Sequence, residues 1–305
     1  MRFLIEQIVS GLTLGGVYAL IAIGYSLMFG VLKLLNFAHG DVYMVGAFIG
    51  YFVLTGLGGP SHLTVPVAVA ILLMLAAGGL GSGLLGLCIE RVAFRPLRDA
   101  PRTSPLIASL GISFLLEYSV LLVFSANARS YNTSAFIPFS TSITIDGVRI
   151  WAVRIVVVIF AAFVMYTVRT LLVRTRLGKQ MRAVAYDREA AAMMGINVDR
   201  TISTAFFVGS VLAGIAGVSF ALVFSEITFN MGFLAGLKGF SAAVVGGIGN
   251  VPGAMFGGFA IGLAEAFSTG YISSTYQNVI TFGILVAVVL LRPGGLFGRV
   301  KLQKV

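Results

Sequence analysis

The chain has 305 residues, of which 58% are apolar and only 10% charged, with a mean hydropathy of +1.00. A soluble domain carries roughly 25% charged residues, so this composition excludes an ordinary aqueous fold and makes lipid the main solvent. The net charge of +10 does not point to nucleic acid, because fifteen of the 21 basic residues gather at Arg91–Arg102, Arg169–Arg200 and Arg292–Lys304, the clustering expected of cytoplasmic segments between membrane spans.

Apolar stretches recur in chain order at 8–30, 42–57, 65–88, 105–124, 153–173, 202–224, within 232–268, and at 277–291. Most are long enough to cross about 30 Å of hydrocarbon as a helix. The first, from Phe3 to Gly30, is too long for a signal-peptide core and reads as a retained span. Between the first two stretches lies Leu35-Asn36-Phe37-Ala38-His39-Gly40-Asp41, a polar break with almost no loop around it. It is expected at depth, and counting it as re-entrant leaves the amino terminus inside.

Cys88 is the single cysteine. It rules out an internal disulfide and is expected to be a buried, inert thiol. Gly81-Ser82-Gly83-Leu84-Leu85-Gly86 matches a dinucleotide fingerprint in letters, but no strand precedes it, so helix packing is the expected use. From Ser125 to Val153 runs the longest outside connection, where alternating residues around Asp146-Gly147 predict a small hairpin. It either packs on the protein's own helices or serves a partner.

The segment from Arg174 to Asn197 predicts two short helices. Asp187 caps the second and Gly195 ends it in a left-handed conformation. An Ala- and Met-bearing helix exposed to water fits the groove of a soluble partner, in preference to the alternative of a basic helix lying on anionic lipid. The stretch from Met231 to Phe267 would be roughly 55 Å long as one helix. It is expected to break at Gly246-Gly247-Ile248-Gly249-Asn250-Val251-Pro252-Gly253, where glycines and a proline oppose helix. Two crossings there, or paired half-helices around the break, also return the basic tail to the inside.

Ionisable groups in lipid are costly. Glu117 and Glu265 are expected to be held by hydrogen bonds between helices, while His39 and Asp41 are candidates for a gate or for a cap at a helix break. Neither His39 nor His62 has metal-ligand spacing to a cysteine or carboxylate, and no nucleophile-base set can be nominated. Asn132-Thr133-Ser134 is a chance sequon.

Glu189-Ala190-Ala191-x-x-x-Gly195 resembles the core of the coupling motif of ABC importer permeases. Asn36-Phe37-Ala38-His39-Gly40-Asp41 resembles the signature of the branched-chain amino acid permeases. Glu90-Arg91, Gly246-Gly247-Ile248-Gly249-Asn250 and the ending Arg292-Pro293-Gly294-Gly295-Leu296-Phe297-Gly298 are similar too, so the resemblance covers almost the whole chain. One departure is that no Ile-x-Leu-Pro follows the coupling motif, where Thr204-Ala205-Phe206-Phe207 already begins a span.

The resemblance implies an all-α polytopic protein of the bacterial inner membrane, a single permease domain over 1–305 with about eight to ten transmembrane helices, broken or re-entrant near 36–41 and 246–253. Within it, 174–201 forms the cytoplasmic coupling loop and 125–153 an extracytoplasmic loop. The implied partners are a second related permease, two cytoplasmic ATPase subunits and a periplasmic binding protein delivering leucine, isoleucine or valine, with a homodimer as the alternative pairing. ATP and Mg²⁺ belong to the ATPase subunits, since no Gly-x4-Gly-Lys-Ser/Thr phosphate loop occurs here. Asp187, Glu189, Ala190, Ala191 and Gly195 are the candidate ATPase-coupling residues. Asn36, His39, Asp41, Glu117, Gly247 and Asn250 are the candidate pathway residues. The same family includes carriers of urea and short amides, and a stand-alone secondary carrier or channel is the rival from a different class.

Overall fold

The computed structural model describes residues 2–98, 100–101, 103–137, 142–145 and 148–298. Its long helices are α1 (Arg2–Leu32), α2 (His39–Gly56), α3 (Val67–Ile89, continued by a π-helical turn at Glu90–Phe94) and α4 (Thr103–Phe124). After the strand β1 (Arg129–Ser130), the short helix α5 (Thr133–Phe136), and β2 (Ser142–Ile145) with β3 (Val148–Trp151), helix α6 (Ala152–Arg174) returns. Then come α7 (Arg176–Tyr186), α8 (Arg188–Met193), α9 (Val198–Phe224), β4 (Glu226–Ile227), α10 (Met231–Gly246), α11 (Val251–Tyr271) and α12 (Gln277–Leu291). Among the described residues, seven helices are long and apolar enough to cross a membrane, with α10 shorter. The chain is an all-α polytopic membrane protein.

Buried small residues decide which helices meet. A Cβ on Gly258 of α11 would lie 2.4 Å from the Cα of Ala19 in α1, and one on Gly214 of α9 would lie 2.3 Å from the Gly78 carbonyl of α3. Lipid supplies no hydrophobic drive between helices, so such backbone proximity is where dispersion and close packing act. The core is therefore α1, α2, α9, α10 and α11, with α4 and α12 on the outside. The glycines of the 81–86 stretch do pack helix on helix: Gly83 faces Phe207 and Val211 of α9, and Gly86 faces Ser210. Cys88 differs from the expectation of burial. It is exposed, because Ser82, Gly83, Gly86 and Ile89 occupy the inner face of α3, which turns position 88 outward.

Packing also settles sidedness. Gly30 near the end of α1 faces Gly249, whereas Gly11 near its start faces Leu263, so α1 and α11 run antiparallel. Arg188, in the predicted coupling loop, donates to the Leu32 carbonyl at 2.7 Å, while Arg154 at the start of α6 donates to Ser10 at 3.0 Å. The last residue of α1 thus lies on the coupling face and its first turns lie on the opposite one. Arg91, Arg95, Arg182, Arg188 and Arg292 mark the coupling face, which the positive-inside rule makes cytoplasmic. The amino-terminal end of α1 is consequently extracytoplasmic, against the expectation that a re-entrant break leaves it inside. The break is deep, but residues 33–38 climb back along α1 and α2 completes the crossing. Helix begins at His39, so the break covers 33–38 rather than 36–41.

The extracytoplasmic hairpin is present: β2 pairs antiparallel with β3, Ser142 opposite Trp151 and Ile145 opposite Val148. Its turn, Asp146-Gly147, lies outside the described residues, as do Arg102 and the basic tail from Arg299 onward. The predicted break between α10 and α11 is where expected, with Gly247 at φ +106° and Gly249 at φ +87°, conformations open to glycine at little cost.

Candidate translocation site and coupling face

On the coupling face, Thr175 accepts from the Gly178 N–H at 3.3 Å and caps α7. Asp187 accepts from the Ala190 N–H at 3.0 Å and caps α8. Gly195, at φ +80°, lets the chain turn so that the Ile196 N–H reaches the Ala191 carbonyl at 3.1 Å, satisfying a carbonyl that a helix end leaves free. Of the candidate coupling residues, only Ala191 turns inward; Asp187, Glu189, Ala190 and Gly195 are exposed. Met193 and Met194 are each 82% exposed. Two thioethers in water beside a short helix form an adaptable apolar surface. Arg188 anchors this unit to the end of α1.

Helix α2 begins beside Gly24 of α1, where a Cβ would come within 2.4 Å of His39 Nε2; Gly24 lies eight residues, about 12 Å, before the coupling-face end of α1, so the start of α2 is at depth. The Asn36 side chain accepts from the Ala38 N–H at 3.1 Å and turns the chain into α2, and Ser109 of α4 accepts from the Phe37 N–H at 3.2 Å. His39 is fully buried, edge-on to Tyr25 with centroids 4.6 Å apart, and neither ring nitrogen has a hydrogen-bond partner of ordinary geometry. Asp41 is also fully buried. Ser113 donates to its Oδ2, whereas Oδ1 has no side-chain partner among the described residues and lies against the first turn of α10, where a Cβ on Gly232 would come within 2.5 Å. The carboxylate therefore sits at the amino-terminal ends of both α2 and α10, where helix dipoles favour negative charge. Broken helices that start at mid-membrane form solute sites in transporters for the same electrostatic reason. Half-buried Glu117 stands one turn beyond Ser113 on α4.

Ser109, Ser113 and Glu117 form a polar stripe at four-residue spacing along a mostly apolar helix. That spacing was the signal available for Ser113. Replacing Ser113 by alanine removes the donor to a buried carboxylate. The expected cost is about 1–3 kcal/mol, read as a lowered unfolding midpoint of the purified protein in detergent, with Ser113→Thr close to wild type.

Gly247 and Asn250 lie elsewhere, on the coupling face. Asn250 accepts from the Gly253 N–H at 3.3 Å, capping α11, and donates to the Phe297 carbonyl at 2.9 Å. The Leu296 N–H reaches the Val245 carbonyl at 2.9 Å. Two motifs far apart in sequence, 246–250 and 292–298, thus close on each other. The candidate pathway residues accordingly fall into two places: Asn36, His39, Asp41 and Glu117 at depth, Gly247 and Asn250 at the surface.

Glu265 is held between helices, as expected, and its main partner is a buried cation. Lys238 of α10 lies 2.6 Å from its Oε1, and Tyr18 of α1 donates to Oε2 at 3.0 Å. At the coupling end, Arg98 bridges buried Glu90 and Asp199, Arg95 also pairs with Asp199, and Ser203 donates to Glu90 at 2.8 Å. This network ties the turn after α3 to the start of α9.

A many-helix bundle with a capped helical unit on its basic face and interrupted helices meeting at mid-depth defines the membrane-spanning subunit of a solute transporter. The chain belongs to the family described as branched-chain amino acid transport system / permease component, which it matches over residues 7–289. It is 39% identical to the high-affinity branched-chain amino acid transport system permease protein BraD of Pseudomonas aeruginosa, over 99% of this chain and 98% of that one. It is 37% identical to the corresponding permease protein LivH of Escherichia coli, over 99% and 98%. A more distant relative is the probable permease protein LivH of Methanocaldococcus jannaschii, at 29% identity over 92% and 88%.

Proposed function

We propose that this chain is the membrane permease subunit of an ATP-driven importer in the bacterial inner membrane, moving branched-chain amino acids that a periplasmic binding protein delivers. A second related permease completes the pathway, and two cytoplasmic ATPase subunits bind ATP and Mg²⁺. This chain itself holds no cofactor and catalyses no reaction. The observation that carries the coupling is the bond from Arg188 of α8 to the last carbonyl of α1. Beyond that carbonyl lie the ascending residues 33–38 and then His39 and Asp41 at mid-depth.

An ATPase that grips α8 more tightly in one of its states moves that anchor, which supplies the differential contact a two-state switch needs. Asn36 and the first turn of α2 move with it. The pathway binds its solute weakly and leaves tight capture to the binding protein, which suits release into the cytoplasm. A secondary carrier would have no use for a capped, exposed α8 with two water-facing methionines.

The test is ATP-dependent uptake of labelled leucine by proteoliposomes containing this chain with its partner subunits, compared with Gly195→Arg. At φ +80° a side chain costs roughly 1–2 kcal/mol, and the arginine adds bulk and charge where the ATPase docks. Uptake is expected to fall at least tenfold with less ATPase co-purified. Uptake by this chain alone, unaffected by the substitution, would replace the importer with a carrier, and preference for labelled urea would move the substrate to the amide branch.

A further inference from the structure

A cavity of about 780 Å³ opens on the coupling face between the ends of α1 and α6, helix α7 and the 248–252 turn. Lys33, Arg169 and Arg182 line it, together with the Asn250 end of α11, and among the described residues no carboxylate does. Arg169 lies five residues before the end of α6, about 7.5 Å inside the helix, so it reaches the cavity from the headgroup level rather than from open water. Its apolar wall includes Leu27 of α1 and Leu172 and Val173 of α6. Val173 is 59% exposed, which leaves that wall open sideways to the bilayer.

We propose that this cavity is a binding site for an anionic phospholipid of the cytoplasmic leaflet. Its phosphate sits among Lys33, Arg169 and Arg182, and an acyl chain lies along Leu172 and Val173. Basic pockets between transmembrane helices on this side select anionic headgroups, and arginine grips phosphate through several donors at once. A soluble anion has no use for the apolar side opening. The bound lipid would brace α7 against α1 and α6, which makes the coupling loop sensitive to membrane composition.

Native mass spectrometry of the full chain, released from nanodiscs holding phosphatidylglycerol, cardiolipin and phosphatidylcholine in equal amounts, tests this. Anionic lipid is expected to stay bound at least tenfold more than phosphatidylcholine. The double variant Arg169→Gln/Arg182→Gln is expected to lose at least nine-tenths of it, while Arg91→Gln/Arg292→Gln keeps it. Equal retention by the first variant overturns the site, as does equal retention of phosphatidylcholine by wild type. Full displacement by inorganic pyrophosphate reassigns the cavity to a soluble anion. If the double variant does not fold, retention by wild type at rising salt decides: a lipid held by charge is released, and one held by the apolar wall alone stays.

Discussion

Lys238→Ala is expected to lower the unfolding midpoint of the purified permease more than any other single truncation of a polar side chain in the bundle. The ammonium lies 2.6 Å from Glu265 Oε1, and both side chains are almost closed off from the surface. Truncating one member strands a carboxylate in a medium of low dielectric, which costs about 3–5 kcal/mol. Tyr18 remains as a neutral donor and does not replace the lost charge. The paired substitution Lys238→Met/Glu265→Leu removes both charges at similar volume and is expected to recover most of the loss, since a buried pair replaced by apolar groups is often neutral or better. Thermal unfolding in detergent followed by fluorescence distinguishes the cases. A Lys238→Ala protein that melts with wild type would show that the pair does not hold α10 to α11.

Gly40→Val is expected to abolish leucine uptake by the assembled transporter while leaving the protein in the membrane. A Cβ at this position would lie 2.3 Å from the Gly232 carbonyl and 2.7 Å from the Gly236 Cα. Both are backbone of α10, so no side-chain rotation relieves the clash. Overpacking of this kind costs typically 1–3 kcal/mol, and here relief requires α2 and α10 to part just where their ends enclose Asp41. Gly56→Ala is the matched control, because nothing lies within 4 Å of its added Cβ. Uptake is expected to drop at least tenfold for the first variant and stay at wild-type level for the second. Full activity of Gly40→Val would remove Asp41 and its surroundings from the pathway.

Much of this architecture could be read from local residues, and what escaped did so for physical reasons. The break before α11 was legible because Gly247, Gly249 and Pro252 act through their own backbones, and the ends of α8 because Asp187 and Gly195 do the same. The inward turn of Ala191, by contrast, depends on α8 lying against α9, which no local pattern carries. Lys238 escaped notice since one lysine between Leu237 and Gly239 leaves an apolar stretch intact, and its partner lies 27 positions away. The closure of 292–298 on 245–250 is made mostly by backbone bonds, with one from the Asn250 side chain to a backbone carbonyl, so nothing in the side chains of 292–298 marks it. The start of α2 was misplaced by a few residues because Asn36 turns the chain early and His39 is already helical. Separation of Gly247 and Asn250 from Asp41 likewise follows from the orientation of α10, which descends from mid-membrane to the surface.

Because α2 and α10 both start at mid-depth and enclose Asp41 between them, the order of synthesis matters to how the protein is built. When α2 first leaves the ribosome, the bundle contains neither Ser113 nor Gly232, so the Asp41 carboxylate in its first turn has neither its donor nor the helix end that later lies against it. Helix α2 therefore lacks a stable resting place until α4 and later α10 arrive. The surroundings of Asp41 are therefore complete only once α10 has been made, when most of the chain has already been synthesised.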